Sequence, residues 1–438
     1  MAKFTRRDFL VSTAAAAATS TLAGPALAAD AGTKLNYTPE KGAKVHVLRW
    51  RRFVQGDEDL WNANTKKFTQ QTGIPVQVDH VGWEDVRAKA ALAARVGSGP
   101  DIILGWFDDP EQFPDKLMDV TDLADYLGKK YGGWYDVCKM YGMRKGKWIA
   151  IPLGVVGNAL VSRDSLVKAA GFEKVPEDLP GFLKLCQALK AKGTPSGFAL
   201  GHAVGDANNF AHWLLWSHGG MMVNPKGQVV IQSPETIAAL EYATELYKTF
   251  IPGTLGWNDS SNNKAFLDGQ LSLTANGISV YYAAKNSKDP KLQAIANDIV
   301  HAHLPVGTTG KHTELMQITQ MMLFKYSKFP NATKAYTQFM MEAAQYNPWM
   351  EAAIGYVSQP LKAYAANPVW NNPKAKVFAD SAAIMLDNGY DGPLGPASAA
   401  VMADYVVVDM FAGAVSGSKT PKQAAAEAAE RAKRYYKA

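Results

Sequence analysis

The chain has 438 residues, 47% of them hydrophobic and 20% charged, with a formal net charge of +6. That length exceeds what one growing core accommodates, so two lobes with separate cores are expected, and the composition excludes a largely disordered chain. The mild basic excess is spread along the sequence without basic stripes and interleaved aromatics, which speaks against a nucleic-acid partner.

The first 28 residues read as an export signal. Lys3, Arg6 and Arg7 form a basic start, Thr5-Arg6-Arg7-Asp8-Phe9-Leu10 is similar to the twin-arginine motif, and Ala26-Leu27-Ala28 offers small residues to a signal peptidase. Ser12, Thr13, Thr19, Ser20 and Thr21 interrupt the apolar run and Gly24-Pro25 ends it, so it does not read as a membrane anchor. Removing three basic residues and one acid lowers the formal charge from +6 to +4. No cysteine follows the cleavage site, and a free periplasmic protein is expected.

After a polar leader over 29–42, Lys44-Val45-His46-Val47-Leu48-Arg49-Trp50 alternates as a strand does. Leu60, Trp61, Ala63 and Phe68 fit a helix over 57–71 that stops at Gly73. Ile74-Pro75-Val76-Gln77-Val78 is the next strand, 84–96 an alanine-rich helix, and Asp101-Ile102-Ile103-Leu104 a buried strand. This alternation implies parallel pairing through right-handed crossovers, hence a doubly wound α/β sheet. Gly97 and Gly99 precede the last strand instead of following it, which argues against a dinucleotide loop. The strand's carboxyl end opens instead into Trp106, Phe107, Asp108 and Asp109, the place where open α/β sheets hold ligands. Asp101, which begins the strand, is expected to serve the fold.

Farther on, an extended run over 147–161 is broken by Pro152, Gly154 and Gly157, which suits a passage between lobes better than a central strand. A helix over 182–192, a strand at Gly197-Phe198-Ala199-Leu200, and helices over 208–216 and 234–250 follow. Thr420, Pro421 and Gln423 make a capped start for the last helix. Cys138 and Cys186 lie far apart, outside any C-x-x-C, and read as two buried free thiols.

Five stretches carry a resemblance: "GSGPDIILGWFDD", "KWIAIPLGVVGNALV", "WLLWSHGGMMVNPKGQVVIQSPETIAALEYATELYK", "AFLDGQLSLTANG" and "SGSKTPKQAAAEAAERAK". In this order, over nearly all of the mature chain, they resemble the carbohydrate-type (family 1) extracellular solute-binding proteins of ABC importers. The resemblance implies the two-lobe type II periplasmic-binding-protein fold, each lobe a doubly wound sheet, with three crossings near residues 152–157, 304–307 and 355–360. It places lobe 1 at 43–153 and 305–354 and lobe 2 at 154–304 and 355–438. It further implies a monomeric receptor that takes a small carbohydrate to ABC permease subunits, with no cofactor and no reaction of its own.

The competing reading is a secreted carbohydrate-active enzyme, yet the sequence has no G-x-S-x-G elbow and no H-E-x-x-H. Gly307-Thr308-Thr309-Gly310-Lys311-His312 lacks Walker spacing and reads as a loop. His202, His212, His218, His301 and His303 are read as structural, with no metal expected, because zinc needs three or four converging ligands. Adjacent acids such as Asp108 and Asp109 point in different directions, and Glu84 and Asp85 suit a helix N-terminus.

Trp50, Trp83, Trp106 and Trp257 each follow a predicted strand or sit in a Gly-flanked loop. Sugars present apolar C–H faces ringed by hydroxyls, which aromatic faces and Asp, Asn or Arg side chains match. Carried onto this sequence, the resemblance adds Arg51, Asp108, Asn158, Asn208, Asn209, Asn258, Asn276, Ser279 and Tyr356 as ligand-binding residues. Maltodextrin-binding members carry aromatics shortly after the Asn-Gly strand and near the late helix, where this chain has Ser279 and Pro396-Ala397-Ser398-Ala399-Ala400. That departure implies a mono- or disaccharide, polyol or substituted sugar, with Arg49, Arg51 and Arg52 leaving room for a sugar acid.

Overall fold

The computed structural model describes residues 33–390 and 392–437, so the export signal read over 1–28 lies outside the described residues. Ten strands are found among them: Val45–Trp50 (β1), Val76–Val81 (β2), Ile102–Trp106 (β3), Met143–Arg144 (β4), Lys147–Trp148 (β5), Ile151–Val156 (β6), Ala159–Arg163 (β7), Leu273–Asn276 (β8), Ile299–Ala302 (β9) and Gln317–Leu323 (β10). β1, β2 and β3 pair in parallel and are joined by the helices Gln55–Thr72 and Asp85–Val96. Each helix stops where a glycine takes up left-handed geometry, Gly73 at φ 73° and Gly97 at φ 71°. Asp101 accepts the backbone N–H of His46 at 2.8 Å and so ties the start of β3 to β1.

The first sheet has the order β2-β1-β3-β10-β6, with β10 antiparallel to both neighbours. It is therefore mixed. Pro152 is accommodated because β6 lies at the sheet's edge, and the register slips opposite it between Thr319 and Gln320. The broken run over 147–161 thus resolves into β5, the edge strand β6, a Gly157-Asn158 link and β7.

The second sheet, β8-β7-β9, is antiparallel throughout. β7 enters it from the first sheet and β9 leaves towards the first sheet, so the two must run in opposite senses. The strand expected over 197–200 contributes only bridges from Ser196 to Phe250 and Leu273. The architecture is α/β and two-lobed, with the second lobe built on an antiparallel rather than a doubly wound sheet.

The chain passes from the first sheet to the second between β6 and β7 and returns between β9 and β10. Near residues 355–360 it runs beside β6, where Ser358 and Val155 exchange backbone hydrogen bonds of 2.7 and 2.9 Å. Helix Pro330–Met341 packs on β1 and β10, whereas Val406–Val415 packs on the helices Asp206–Ser217 and Pro234–Tyr247. The closing helix Pro421–Lys433 starts with the capping box read from sequence, Gln423 N–H donating to Thr420 Oγ1 at 3.3 Å and Thr420 N–H to Gln423 Oε1 at 2.9 Å. Cys138 and Cys186 are buried and free.

Candidate ligand-binding site

A cavity lies where the ends of both sheets meet. Its aromatic wall is Trp83, in the turn after β2. The ring is supported from behind: Trp106 stacks on it at 3.7 Å and 25°, and Trp50 meets it edge-on at 5.6 Å. Phe53 extends the wall, edge-on to Trp83 at 5.3 Å. Beneath this layer the Arg49 guanidinium lies between the rings of Trp50 and Trp61, 4.5 and 4.6 Å from their centroids, and pairs with Asp57. The Asp57 carboxylate also accepts the indole N–H groups of Trp50 and Trp349, at 3.1 and 2.9 Å. A buried ion pair whose carboxylate is bonded on both oxygens in this way fixes the floor on which Trp83 rests.

The opposite wall is polar and comes from the second lobe. Asp259 accepts three successive backbone N–H groups, from Val204, Gly205 and Asp206, at 2.7, 2.9 and 2.8 Å. These are orphan donors at the start of helix Asp206–Ser217, so Asp259 caps that helix from outside. Asp206 lines the cavity and accepts the Asn262 side-chain amide at 2.7 Å. Burial pushes the Asp206 carboxyl upward, and the charge of Asp259 adds to the shift. Burial likewise lifts Asp259 to about 6, against the pull of its backbone donors. Gly205 is required by a close approach: a Cβ there would lie 2.3 Å from Gln317 Oε1. Its absence lets Gln317, at the start of β10, reach across and accept the Asn209 amide at 3.1 Å.

The remaining edge is built where β7 and β8 pair. Asn276 Oδ1 accepts from Gly277 N–H at 2.7 Å and Ser279 Oγ at 3.2 Å, while its amide donates to Asn263. Asn158 sits in the β6–β7 link with Oδ1 buried and unpartnered, and Trp83 Nε1 is in the same condition. Tyr356 completes the lining from the segment beside β6. Burial first, then the carboxylates of Asp57, Asp259 and Asp206, raise its hydroxyl well above the ordinary range.

Of the residues singled out from sequence, Trp83, Asn158, Asn276, Ser279 and Tyr356 meet at this cavity. Trp50 and Trp106 stand one layer behind, and Asn209 reaches the lining through Gln317. Asn208 donates to the Val204 carbonyl at 2.9 Å, just ahead of its own helix. Trp257 is partly buried away from the lining, exposed Asn258 closes a turn by accepting from Ser260 and Ser261, and Arg51 is exposed. Asp108 is not part of the lining. Phe107, at φ 46°, turns the chain after β3, and the buried Asp108 carboxylate accepts from Asn388 at 2.9 Å and from Ser398. Burial pushes its carboxyl up to about 6. Sequence reading did not find Asp206, Asp259, Gln317 or Phe53. For the two acids a signal existed, since an acid at a helix start pairs with the positive end of the helix dipole.

A family model described as bacterial extracellular solute-binding protein matches residues 63–377. An ABC transporter-binding protein of Deinococcus radiodurans is 24% identical over 220 residues, 46% of this chain, and the match spans about half (51%) of that relative's length. Maltose-bound MalE3 of T. maritima superposes with a TM-score of 0.77 at 19% identity, covering 90% of this chain and 99% of that one. A solute-binding protein of Agrobacterium radiobacter K84 in complex with ribitol gives 0.75 at 17% identity, with 90% and 98% covered. The chain belongs to the bacterial extracellular solute-binding family.

Proposed function

We propose that this member of the family captures a small neutral carbohydrate in the cavity between the sheets and delivers it unchanged to the permease of an ABC transporter. One observation carries the reading: an aromatic face, Trp83 backed by Trp106, stands across a cavity from Asp206, Asn158 and Asn276. That arrangement matches a sugar ring, apolar on its C–H face and rimmed by hydroxyls. The maltose-bound and ribitol-bound structural neighbours and the relative's ABC-transporter name support it. The places where maltodextrin-binding members carry further aromatics hold Ser279 and the small residues of 396–400, which favours a mono- or disaccharide or a polyol.

The charge of the lining supports a neutral ligand over a sugar acid. Arg49 is committed to Asp57, Arg52 pairs with Glu58, and among the described residues no arginine lines the cavity, whereas Asp206 and Asp259 do. A bound sugar would stack on the first lobe and hydrogen-bond to the second, so it would favour the state in which the lobes approach. The enzyme alternative asks for a free carboxylate pair, but both oxygens of Asp259 are occupied by backbone donors. The twin-arginine start and the cleavage site read after Ala28 fit a periplasmic receptor.

The test is a thermal-shift screen of the purified protein over monosaccharides, disaccharides, polyols and sugar acids, followed by calorimetry and product analysis. A saturable shift with a neutral member and no product is expected. Turnover at substoichiometric protein, or tightest binding of a sugar acid, would overturn the proposal.

A further inference from the structure

A second constellation lies away from the cavity, where the chain leaves β9 for β10. His303 directly follows β9, His312 ends the loop containing Gly307 and Gly310, and Glu314 stands on the segment that enters β10. One ligand atom from each lies within 4.8 Å of the other two. The Nδ1 atoms of His312 and His303 are 3.3 and 3.7 Å from the same oxygen, Glu314 Oε1.

The carboxylate is the unusual member. Its side chain is 2% exposed, Oε1 accepts the Leu304 N–H at 3.2 Å, and Oε2 is buried with no hydrogen-bond partner. A buried anion with an idle oxygen is costly unless a cation sits beside it. The two imidazoles are 36% and 41% exposed, so the cluster has a solvent entrance. Asp380 and Glu177 add negative potential around the two histidines.

We propose that His303, His312 and Glu314 bind one divalent cation of the zinc class. Two imidazole nitrogens and one carboxylate oxygen are a donor set that zinc accepts, with water in the fourth position. Tetrahedral zinc with bonds of ~2.0–2.1 Å needs donor atoms ~3.4 Å apart, so any pair near the 4.8 Å limit must close by about 1.4 Å. The His312 loop can supply that movement, since it turns at Gly310 with φ 69° and projects an exposed side chain. The sequence reading expected no metal because scattered histidines seldom supply three or four converging ligands, and it took His312 as part of a loop; the return of the chain after β9 brings the three side chains together. A bound cation would pin one of the chain's passages between the two sheets.

The experiment uses the untagged mature chain, with zinc counted after equilibrium dialysis and titrated by calorimetry. One Zn²⁺ per chain is expected, with His312→Gln and His303→Ala each weakening binding at least ~10-fold and the double variant abolishing it. Melting in chelator reports the fold independently of the metal, and the variants are expected to melt there with the wild type. Cobalt(II) bound to the wild type should show tetrahedral ligand-field bands that the double variant lacks. Absence of saturable zinc binding by the wild type, or binding unchanged in the folded double variant, would overturn the proposal.

Discussion

Two buried acid centres lie where the lobes meet, and they do different work. Asp206 and Asp259 belong to the second lobe and line the cavity, one beginning a helix and the other capping it. Asp108, at the end of the first lobe's β3, spends one carboxylate oxygen on Asn388 and Ser398 and does not line this cavity. All three carboxyls are raised by burial, so a perturbed acid does not by itself mark a ligand site. What separates the centres is whether the acid borders open space or is closed off by side chains from the late segment.

The contrast is tested most severely at Asp259. Asp259→Ala strands three backbone donors, and leaving even one buried and unpaired costs ~1–3 kcal/mol. Calorimetry should show a stability loss of ~3 kcal/mol and no measurable carbohydrate binding. Unchanged melting with intact binding would remove the polar wall from the site.

Asp206→Asn is the cleaner probe of recognition, because it keeps an acceptor for Asn262 while discarding the charge. Ligand affinity should fall ~10- to 100-fold in titration, and the unliganded protein should melt close to the wild type.

Asp108→Asn should leave ligand affinity within ~3-fold and instead change the pH response. The folded carboxyl titrates at about 6, above the ordinary 3.8, so the native chain holds more protons than the unfolded one between those values. The contribution of this group to stability is therefore complete below pH ~4 and is lost as pH rises through ~6. Asparagine does not titrate, so the variant should gain on the wild type across that window, by on the order of 2 kcal/mol. Denaturant melts at pH 4.5 and 7 measure the difference; a variant that loses ground as pH rises would reverse the sign. A large drop in affinity would instead merge the two acid centres into one site.

The smallest effect is expected at Asp101. Asp101→Asn weakens one bond to His46 N–H at the far end of β3, costing ~0.5–1 kcal/mol in urea unfolding with ligand binding untouched.

Local chemistry made much of the first lobe legible. Alternation over 44–50, apolar spacing over 57–71 and the stops at Gly73 and Gly97 are properties of neighbours in sequence, and β1, β3 and both helices stand where those signals put them. The position of β10 between β3 and β6 depends on pairing across distant sequence, which no window of residues reveals. The same limit governs the site. Trp50, Trp83 and Trp106 look equivalent in sequence because each follows a strand, yet packing sends one into the lining and stacks the other two behind it. Asp206 and Asp259 carry a helix-start signal in the sequence, but that signal marks a cap and not a cavity, and their place in the site is set only when the Asp259 loop folds over the helix start.

The two buried thiols have a consequence for following the lobes in solution. Burial raises both, Cys186 to about 12 and Cys138 higher still, so neither forms the thiolate that alkylating reagents attack at neutral pH. Cysteines placed one on each sheet's exposed side can therefore carry a fluorophore pair or spin labels while the native sulfurs stay silent. The label-to-label distance, read as carbohydrate is titrated in, then reports how far the halves of this molecule travel.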